Sequence, residues 1–244
     1  MTTLTLLCLP YSGASAMVYS RWRRKLPEWI KLQPVELPGR GARYGEPLHT
    51  DMRRLALQLA HEQKALLKAP YALFGHSLGA LLACEMAHAL RSLGAPEPLA
   101  LFASGTAAPT MRLDYDRGFA EPKTDVELIE QLRTLNGTRE EVLANEELMS
   151  LTLPILRADF QLCGRFEPVQ RPLLKCPVHV LGGTADRATT EQLIGWRKET
   201  HGSFSVDMLA GGHFFIHEHE AKVLRVIKDQ LEVHHRRHRM AANA

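Results

Sequence analysis

The chain alternates between short apolar runs, which are typical of buried strands, and longer segments whose apolar residues recur every three or four positions, as in helices. The apolar runs predict strands at residues 4–9, 32–37, 71–74, 99–103, 178–181 and 204–209. The periodic segments predict helices at about residues 16–26, 51–68 (capped by Thr50), 78–93, 190–200 and 218–233. This order predicts an α/β fold with a mostly parallel sheet and helices on both faces.

The alternation stops between residue 106 and about residue 175. Segments such as DVELIEQLRTLNG are polar and favour helices, and the region contains no convincing strand. We therefore expect a helical insertion between two parts of one core. The predicted division is residues 1–105 and 176–244 for the core, with a basic tail at the end, and residues 106–175 for the insertion. Such insertions often cover an active site.

Composition narrows the class of protein. The chain has 244 residues, of which 45% are hydrophobic and 23% charged, enough for one substantial core. Its net charge of +3 is too small to indicate nucleic-acid binding, and part of it lies in HHRRHRM, residues 234–240, which we expect to be solvated or frayed. No signal peptide or membrane span is indicated.

The cysteines indicate a compartment. The four cysteines, at positions 8, 84, 163 and 176, show no paired spacing, so reduced thiols in a cytoplasmic protein are expected. The residues form no metal-binding motif, and no glycine-rich loop with dinucleotide-binding spacing follows the first strand.

The segment GHSLG, residues 75–79, follows the third predicted strand and precedes a helix. It fits the Gly-x-Ser-x-Gly nucleophile elbow, in which a sharp turn lifts a serine hydroxyl above the sheet. Glycine on both sides leaves room for that turn. We predict that Ser77 is a nucleophile and that the backbone N–H of Leu78, at a helix N-terminus, is an oxyanion donor.

A serine nucleophile needs a base and a group that orients the base. In folds with this elbow, the acid and then the histidine follow on later loops. Asp186 lies in the loop after the fifth predicted strand, and His213 follows the sixth strand behind two glycines. We predict that these residues are the acid and the base, although Asp186 is also compatible with a helix cap or a pairing with Arg187.

The loop after the first strand, LPYSGAS, is where a second oxyanion donor is expected. The backbone N–H of Ser12 is the candidate. Tyr11, Ser12 and Ser15 are equally compatible with an ordinary turn.

Several segments together resemble the α/β-hydrolase fold and, within it, the type II thioesterases that accompany nonribosomal peptide and polyketide synthases. They are CLPYSGASA, VELPGRGAR, FGHSLGALLACEMA, LPILRADFQLC, VLGGTADRATTEQLIGWRKET and AGGHFFI. LPGRGAR and LRADF are not expected in a generic esterase. Two departures stand out: Gly13-Ala14 replaces the glycine pair frequent in the first loop, and Arg187 stands where proline is common.

The resemblance implies an editing hydrolase that removes acyl groups from the phosphopantetheine arm of carrier proteins. The expected partners are acyl or peptidyl carrier protein domains, with no nucleic acid or membrane. No cofactor or metal is expected, since the phosphopantetheine belongs to the substrate, and the protein is expected to be a monomer. A carboxylesterase or lipase for small free esters is the nearest alternative, and a noncatalytic hydrolase-fold binding protein is a more distant one.

The resemblance also implies that the insertion is a lid over an acyl pocket. Its helix-spaced apolar residues could line that pocket, although such residues more often pack a core. They are Leu128, Leu132, Leu153, Leu156 and Phe160.

Overall fold

The computed structural model describes residues 3–65, 67, 70–112, 114–135 and 137–242. Within these residues, six strands form one sheet. The strands are β1 (Leu4–Leu9), β2 (Ile30–Pro34), β3 (Tyr71–His76), β4 (Leu101–Ser104), β5 (Val178–Gly183) and β6 (Phe204–Leu209). All neighbouring pairs are parallel, which confirms the predicted sheet.

Helices occupy most of the remaining described chain. The α-helices are α1 (Met52–Lys64), α2 (Leu78–Ser92), α3 (Asp114–Arg117), α4 (Asp125–Leu135), α5 (Glu140–Leu143), α6 (Glu146–Gly164), α7 (Thr190–Ile194), α8 (Phe215–Glu218) and α9 (Glu220–Ala242). Four 3-10 segments are described, at Ala16–Arg24, Gly41–Arg43, Pro109–Met111 and Gly195–Glu199. Helices α3 to α6 all lie between β4 and β5, where the sequence predicts a helical insertion.

The strand order determines where a site can form. The order across the sheet is β2-β1-β3-β4-β5-β6, so the chain adds β2 on one side of β1 and β3 on the other. The direction of winding therefore reverses at β1. In open parallel sheets, ligands bind beyond the carboxyl ends of the strands at such a reversal. The loops after β1 and β3 lie at this point.

Apolar side chains cover both faces of the sheet. Leu7 and Leu9 of β1 pack in one buried cluster, together with apolar residues of α1 and α2. Leu6 and Cys8 of the same strand pack in a second cluster, together with residues of the first 3-10 segment and α9. The alternation along β1 thus places helices on each face, as predicted for a parallel sheet.

Several predicted boundaries differ from the structure. The first predicted helix is a 3-10 segment, and the side chain of Asp51, not Thr50, caps α1 by accepting the N–H of Arg54. The helix predicted at residues 51–68 ends at Lys64, and residues 66 and 68 lie outside the described part. The second strand begins and ends earlier than predicted, at Ile30 and Pro34.

The helix predicted at residues 190–200 is divided into α7 and a 3-10 segment. Trp196 is fully buried, and its indole N–H donates to the carbonyl of Thr106 at 3.0 Å. Gly195 packs closely against Met111, and a Cβ at position 195 would collide with the Met111 side chain. Packing of this segment against the loop after β4 therefore accounts for the change from an α-helix to the tighter 3-10 helix.

The prediction that HHRRHRM is solvated or frayed is wrong for its first two residues. Helix α9 continues to Ala242, and the side chains of His234 and His235 are buried. His234 hydrogen bonds with His179 at 2.8 Å, and His235 stacks on Trp29. These residues continue the apolar face of α9, so helical spacing overrides their polar composition.

Candidate active site

Ser77 lies at the turn between β3 and α2 in a strained conformation. Its φ is +55° and its ψ is −121°, and it is the only non-glycine residue in the described chain with a positive φ. Such strain in a β-to-α turn is the geometry that raises a nucleophile above a sheet. The hydroxyl makes no capping hydrogen bond to α2. The local geometry is that expected for a nucleophile held above the sheet.

The two glycines of GHSLG have a direct steric role. A Cβ on Gly75 would collide with the carbonyl of Gly79, and a Cβ on Gly79 would collide with the carbonyl of Leu9 in β1. Both obstacles are backbone atoms, which cannot move aside as a flexible side chain can. Glycine at both positions therefore allows α2 to start directly above the sheet.

His213 and Asp186 form an ion-pair geometry at the ends of β6 and β5. The Nδ1 atom of His213 lies 3.0 Å from Oδ2 and 3.1 Å from Oδ1 of Asp186. The Asp186 carboxylate is almost completely buried, with 2% of its side chain exposed, whereas 14% of the His213 side chain is exposed. This contact favours the tautomer protonated at Nδ1 and leaves the lone pair of Nε2 for a proton.

The structure excludes one of the two alternative roles for Asp186. It does not cap the following helix, because Thr189 does so in a capping box with Gln192. Its Oδ1 atom accepts the backbone N–H of Arg187 at 2.7 Å. Arg187 stands where proline is common. Because proline has no N–H, Arg187 supplies a hydrogen bond to the carboxylate that proline could not.

The loop after β1 forms a tight turn. The N–H of Ala14 donates to the carbonyl of Tyr11 at 3.0 Å, and Gly13 has a φ of +78°. A positive φ at this third position is typical of a type II turn, which requires glycine there. Ala14 does not have a positive φ. The departure from a glycine pair therefore needs no unusual backbone at the second position.

A cavity at this edge of the sheet brings the predicted residues together. Ser12, Ser77, Asp186 and His213 all line it. Leu78 begins α2, and the first N–H groups of a helix have no partner within it, so they favour negative charge at this end. The structure thus places all five predicted site residues at the ends of β1, β3, β5 and β6, while their catalytic roles stay predictions.

Helices of the segment between β4 and β5 cover the cavity. This segment contributes lining residues from the loop before α4, from α4 and from α6, including Phe119, Gln131, Leu135, Phe160 and Cys163. Phe119 and Phe160 stack with ring centroids 4.8 Å apart. The four leucines predicted as pocket or core residues, Leu128, Leu132, Leu153 and Leu156, form a buried cluster of their own. Core packing is therefore their role, and Phe160 lines the cavity.

Two other reactive side chains near the cavity are poorly suited to catalysis. Burial raises the pKa of the Cys163 thiol to about 12, so it is not a thiolate at neutral pH. His76 is fully buried, and its Nδ1 hydrogen bonds with the hydroxyl of Ser104 at 2.9 Å. Burial, together with the charges of His213 and His217, holds the pKa of His76 well below its usual range.

Residues that sequence reasoning missed hold the loop after β1. The Tyr11 hydroxyl hydrogen bonds with Nε2 of His217 in α8 at 3.0 Å, and burial raises the pKa of Tyr11 and lowers that of His217. Asp159 of α6 accepts the N–H of Gly13 at 2.8 Å and pairs with Arg40. The unusual motifs LPGRGAR and LRADF were the available signal for the contact between Arg40 and Asp159. Spacing alone could not pair these residues, which are 119 positions apart.

Two further properties concern the described residues only. Their His, Cys, Asp and Glu side chains form no group of three or more that could hold a metal ion. None of their helices is long and apolar enough to cross a membrane.

Comparisons with known proteins agree on one family. A family profile described as a thioesterase domain matches residues 4–231. Gramicidin S biosynthesis protein GrsT of Aneurinibacillus migulanus is 36% identical over 231 residues, which cover 94% of this chain and 90% of GrsT. The structure of the type II thioesterase BorB from the borrelidin biosynthetic cluster is 36% identical with a TM-score of 0.85, and the match covers 94% of this chain and 93% of BorB.

One relative is named as an enzyme of another class, a dehydrogenase. Linear gramicidin dehydrogenase LgrE of Brevibacillus parabrevis is 39% identical over 227 residues, covering 91% of this chain and 85% of LgrE. The loop after β1 in this chain does not have the Gly-x-Gly-x-x-Gly spacing of a dinucleotide site, whereas the thioesterase profile spans almost the whole chain. The chain therefore belongs to the thioesterase family, and its predicted resemblance to type II thioesterases of nonribosomal peptide and polyketide biosynthesis is confirmed.

Proposed function

We propose that this protein is an editing thioesterase, which hydrolyses acyl groups from the phosphopantetheine arm of carrier protein domains in a nonribosomal peptide or polyketide synthase. The observation that carries the proposal is the buried Asp186 carboxylate on Nδ1 of His213, in the same cavity as the strained Ser77. The names of BorB and GrsT, which place those proteins in biosynthetic pathways, support the substrate class.

The proposed reaction proceeds in two steps. The Ser77 hydroxyl attacks the thioester carbonyl while Nε2 of His213 takes its proton, and the N–H groups of Leu78 and Ser12 stabilise the oxyanion. The intermediate collapses, the C–S bond breaks, and His213 gives the proton to the departing thiol of the arm. Water, deprotonated by His213, then attacks the acyl-serine, and the proton returns to Ser77 as the acid leaves. Asp186 orients His213 and stabilises its cation in both steps.

The helices between β4 and β5 act in this proposal as the lid of the acyl pocket. The stacked pair Phe119 and Phe160 would contact the acyl chain, because both side chains line the cavity next to Ser77. No cofactor takes part, since the phosphopantetheine arrives on the carrier. The free thiols of all four cysteines support a cytoplasmic location, and the monomeric state stays a prediction.

Mass spectrometry of a carrier protein loaded with several acyl groups, before and after incubation with the enzyme, tests the proposal. We expect loss of the acyl mass with the wild-type chain and no loss with Ser77→Ala at the same protein concentration. Ser92→Ala is the matched control, because Ser92 is an exposed serine at the opposite end of α2 and must leave hydrolysis unchanged.

A second arm separates the proposal from a general esterase. The same preparations are given an aryl ester of a short acid. A high rate on the aryl ester with no release from the carrier protein would contradict the proposed substrate and favour a carboxylesterase. Full activity of Ser77→Ala would contradict the proposed nucleophile, and no activity on either substrate would favour a noncatalytic protein.

A further inference from the structure

A buried ion pair joins the loop after β2 to helix α6. The two terminal nitrogens of the Arg40 guanidinium contact the two oxygens of Asp159 at 2.6 and 2.7 Å. Only 5% of the Arg40 side chain and none of the Asp159 side chain is exposed. Arg40 belongs to LPGRGAR and Asp159 to LRADF, the two motifs that neither the proposed triad nor the sheet explains.

The ion pair also holds the turn that carries Ser12. Oδ2 of Asp159, which contacts Arg40, also accepts the N–H of Gly13 at 2.8 Å. Arg40 in turn donates to the carbonyl of Ala14 at 3.4 Å. The N–H of Gly13 belongs to the peptide between Ser12 and Gly13, the central peptide of the turn. Rotation of this peptide would change the turn type and redirect the carbonyl of Ser12 and the N–H of Gly13. The N–H of Ser12 belongs to the preceding peptide, so its position depends on the turn being held as a whole. The carboxylate therefore selects one orientation of that peptide.

Helix α6 contacts the same turn at a second point. A Cβ on Gly13 would lie 2.6 Å from Cδ2 of Leu156, so this leucine packs directly on the turn. Leu156 and Asp159 are three residues apart and share one face of α6. The next residue, Phe160, lines the cavity. One face of α6 therefore holds both the turn and the acyl pocket.

Stability alone is a weak reason for such a pair. Removing two charges from water is costly, and well-packed apolar residues of similar volume often stabilise a fold as well or better. A carboxylate that accepts a backbone N–H from a predicted oxyanion loop has a role that an apolar side chain cannot take. The burial of these charges is explained if the geometry of the turn matters for the reaction.

We infer that Asp159 and Arg40 are positioning residues for the oxyanion hole. This inference rests on the proposed function. Asp159 anchors the turn through the N–H of Gly13, so that the neighbouring N–H of Ser12 is held where the oxyanion develops, and Arg40 holds the carboxylate in place. Neither residue touches the substrate, and neither transfers a proton.

The inference makes a specific kinetic prediction for Asp159→Asn. Loss of an oxyanion donor lowers kcat by about 10²- to 10³-fold, and misplacement of a donor has a smaller effect, so we expect a decrease of about 10- to 100-fold. The KM for an acylated carrier protein is expected to change less than about threefold, because the lost interaction is made only with the transition state.

Two inhibitors give a readout that a merely structural role would not move. An acyl trifluoromethyl ketone accepts Ser77 and forms a tetrahedral adduct with an oxyanion, whereas a thioether analogue of the substrate binds without one. In Asp159→Asn the affinity for the ketone is expected to fall in parallel with kcat, while the affinity for the thioether is unchanged. An equal loss for both inhibitors would overturn the inference, because it would show a general distortion of the site.

The double variant Arg40→Met/Asp159→Leu covers the case in which a single variant fails to fold. It removes both charges, so no unpaired charge stays buried, and we expect a folded protein. Its kcat is expected to be as low as that of Asp159→Asn. Wild-type kcat in this variant, or in folded Asp159→Asn, would overturn the inference.

Glu85→Gln is the matched control. The Glu85 side chain, in α2, is 3% exposed and pairs with Arg171 and Arg53, neither of which belongs to the turn or to α6. We expect a lower melting temperature and an unchanged kcat, and an equal fall in kcat would overturn the inference. A wild-type protein with no thioesterase activity would instead contradict the proposed function, so the two failures are distinguishable.

Discussion

Two histidines of this chain have opposite environments. His213 lies at the rim of the cavity with a carboxylate on Nδ1. His179, in β5, is 3% exposed and has a hydroxyl on one nitrogen and a second imidazole on the other, with Ser205 at 2.8 Å and His234 at 2.8 Å. Burial, with a smaller contribution from the charge of His234, lowers the pKa of His179 to about 4.

The difference indicates which of the two histidines is suited to the role of the proposed base. A proton taken up by His213 is stabilised by the Asp186 carboxylate next to it. A proton taken up by His179 would be buried with no anion among its hydrogen-bond partners and next to another imidazole. Both rings make hydrogen bonds, but of the two only His213 has a carboxylate as a hydrogen-bond partner. The neighbouring charge, more than burial or hydrogen bonding as such, separates the two.

The largest expected effect is that of His213→Ala. Without the base, Ser77 keeps its proton, and we expect kcat on an acylated carrier protein to fall on the order of 10⁵-fold. Single-turnover assays with long incubation times measure the residual rate. His179→Gln is the matched histidine variant and is expected to retain kcat. If both variants lost activity equally, the distinction between the two histidines would be wrong.

Asp186→Asn is expected to have the next largest effect. An amide at this position can hold the imidazole in the wrong tautomer and cannot stabilise its cation, so kcat should fall by about 10³- to 10⁴-fold, while KM changes little. Asp229→Asn, at an exposed position of α9, serves as the control. Activity within a few-fold of wild type in Asp186→Asn would show that His213 works without this carboxylate.

The smallest expected effect is that of His179→Gln on the pH dependence of the free energy of unfolding. The folded pKa of His179, about 4, lies below the ordinary value of about 6.5, so the unfolded chain binds more protons between these pH values. The stability that His179 contributes is present above about pH 6.5 and is lost as the pH falls towards 4, by about 2 kcal/mol at pH 5.

Urea unfolding at pH 7 and pH 5 measures this contribution. The substitution His179→Gln removes the titrating imidazole, so the variant should lose about 2 kcal/mol less than the wild type between the two pH values. His201→Gln, at an exposed position, is the control. An identical pH dependence in His179→Gln and wild type would show that the buried ring is not a source of acid sensitivity.

The sheet was largely predictable because its signal is local. Each strand is a short apolar run, and β1 and β6 have the predicted bounds. Ser77, Asp186 and His213 were found in the same way, because each follows a strand and the carboxyl ends of parallel strands meet at one edge. The order of these residues along the chain and the parallel direction of the strands were sufficient to predict that residues 77, 186 and 213 line one cavity.

Contacts between distant polar residues were not predictable. Arg40 and Asp159 meet because a helix from the insertion crosses two loops, and no local pattern contains that crossing. The burial of His234 and His235 was missed because composition indicated a solvated tail, whereas packing against β5 and Trp29 determines their environment. In each case, tertiary packing decides what a polar side chain does.

The anchoring of the turn at Gly13 has a consequence for protein engineering. A chimera that receives its lid from another thioesterase would also replace the carboxylate and the leucine that press on this turn. Such a graft can transfer substrate preference without loss of rate only if the donor helix carries an acid that meets Arg40. The lid and the catalytic core should therefore be recombined at boundaries that keep this pair from a single parent.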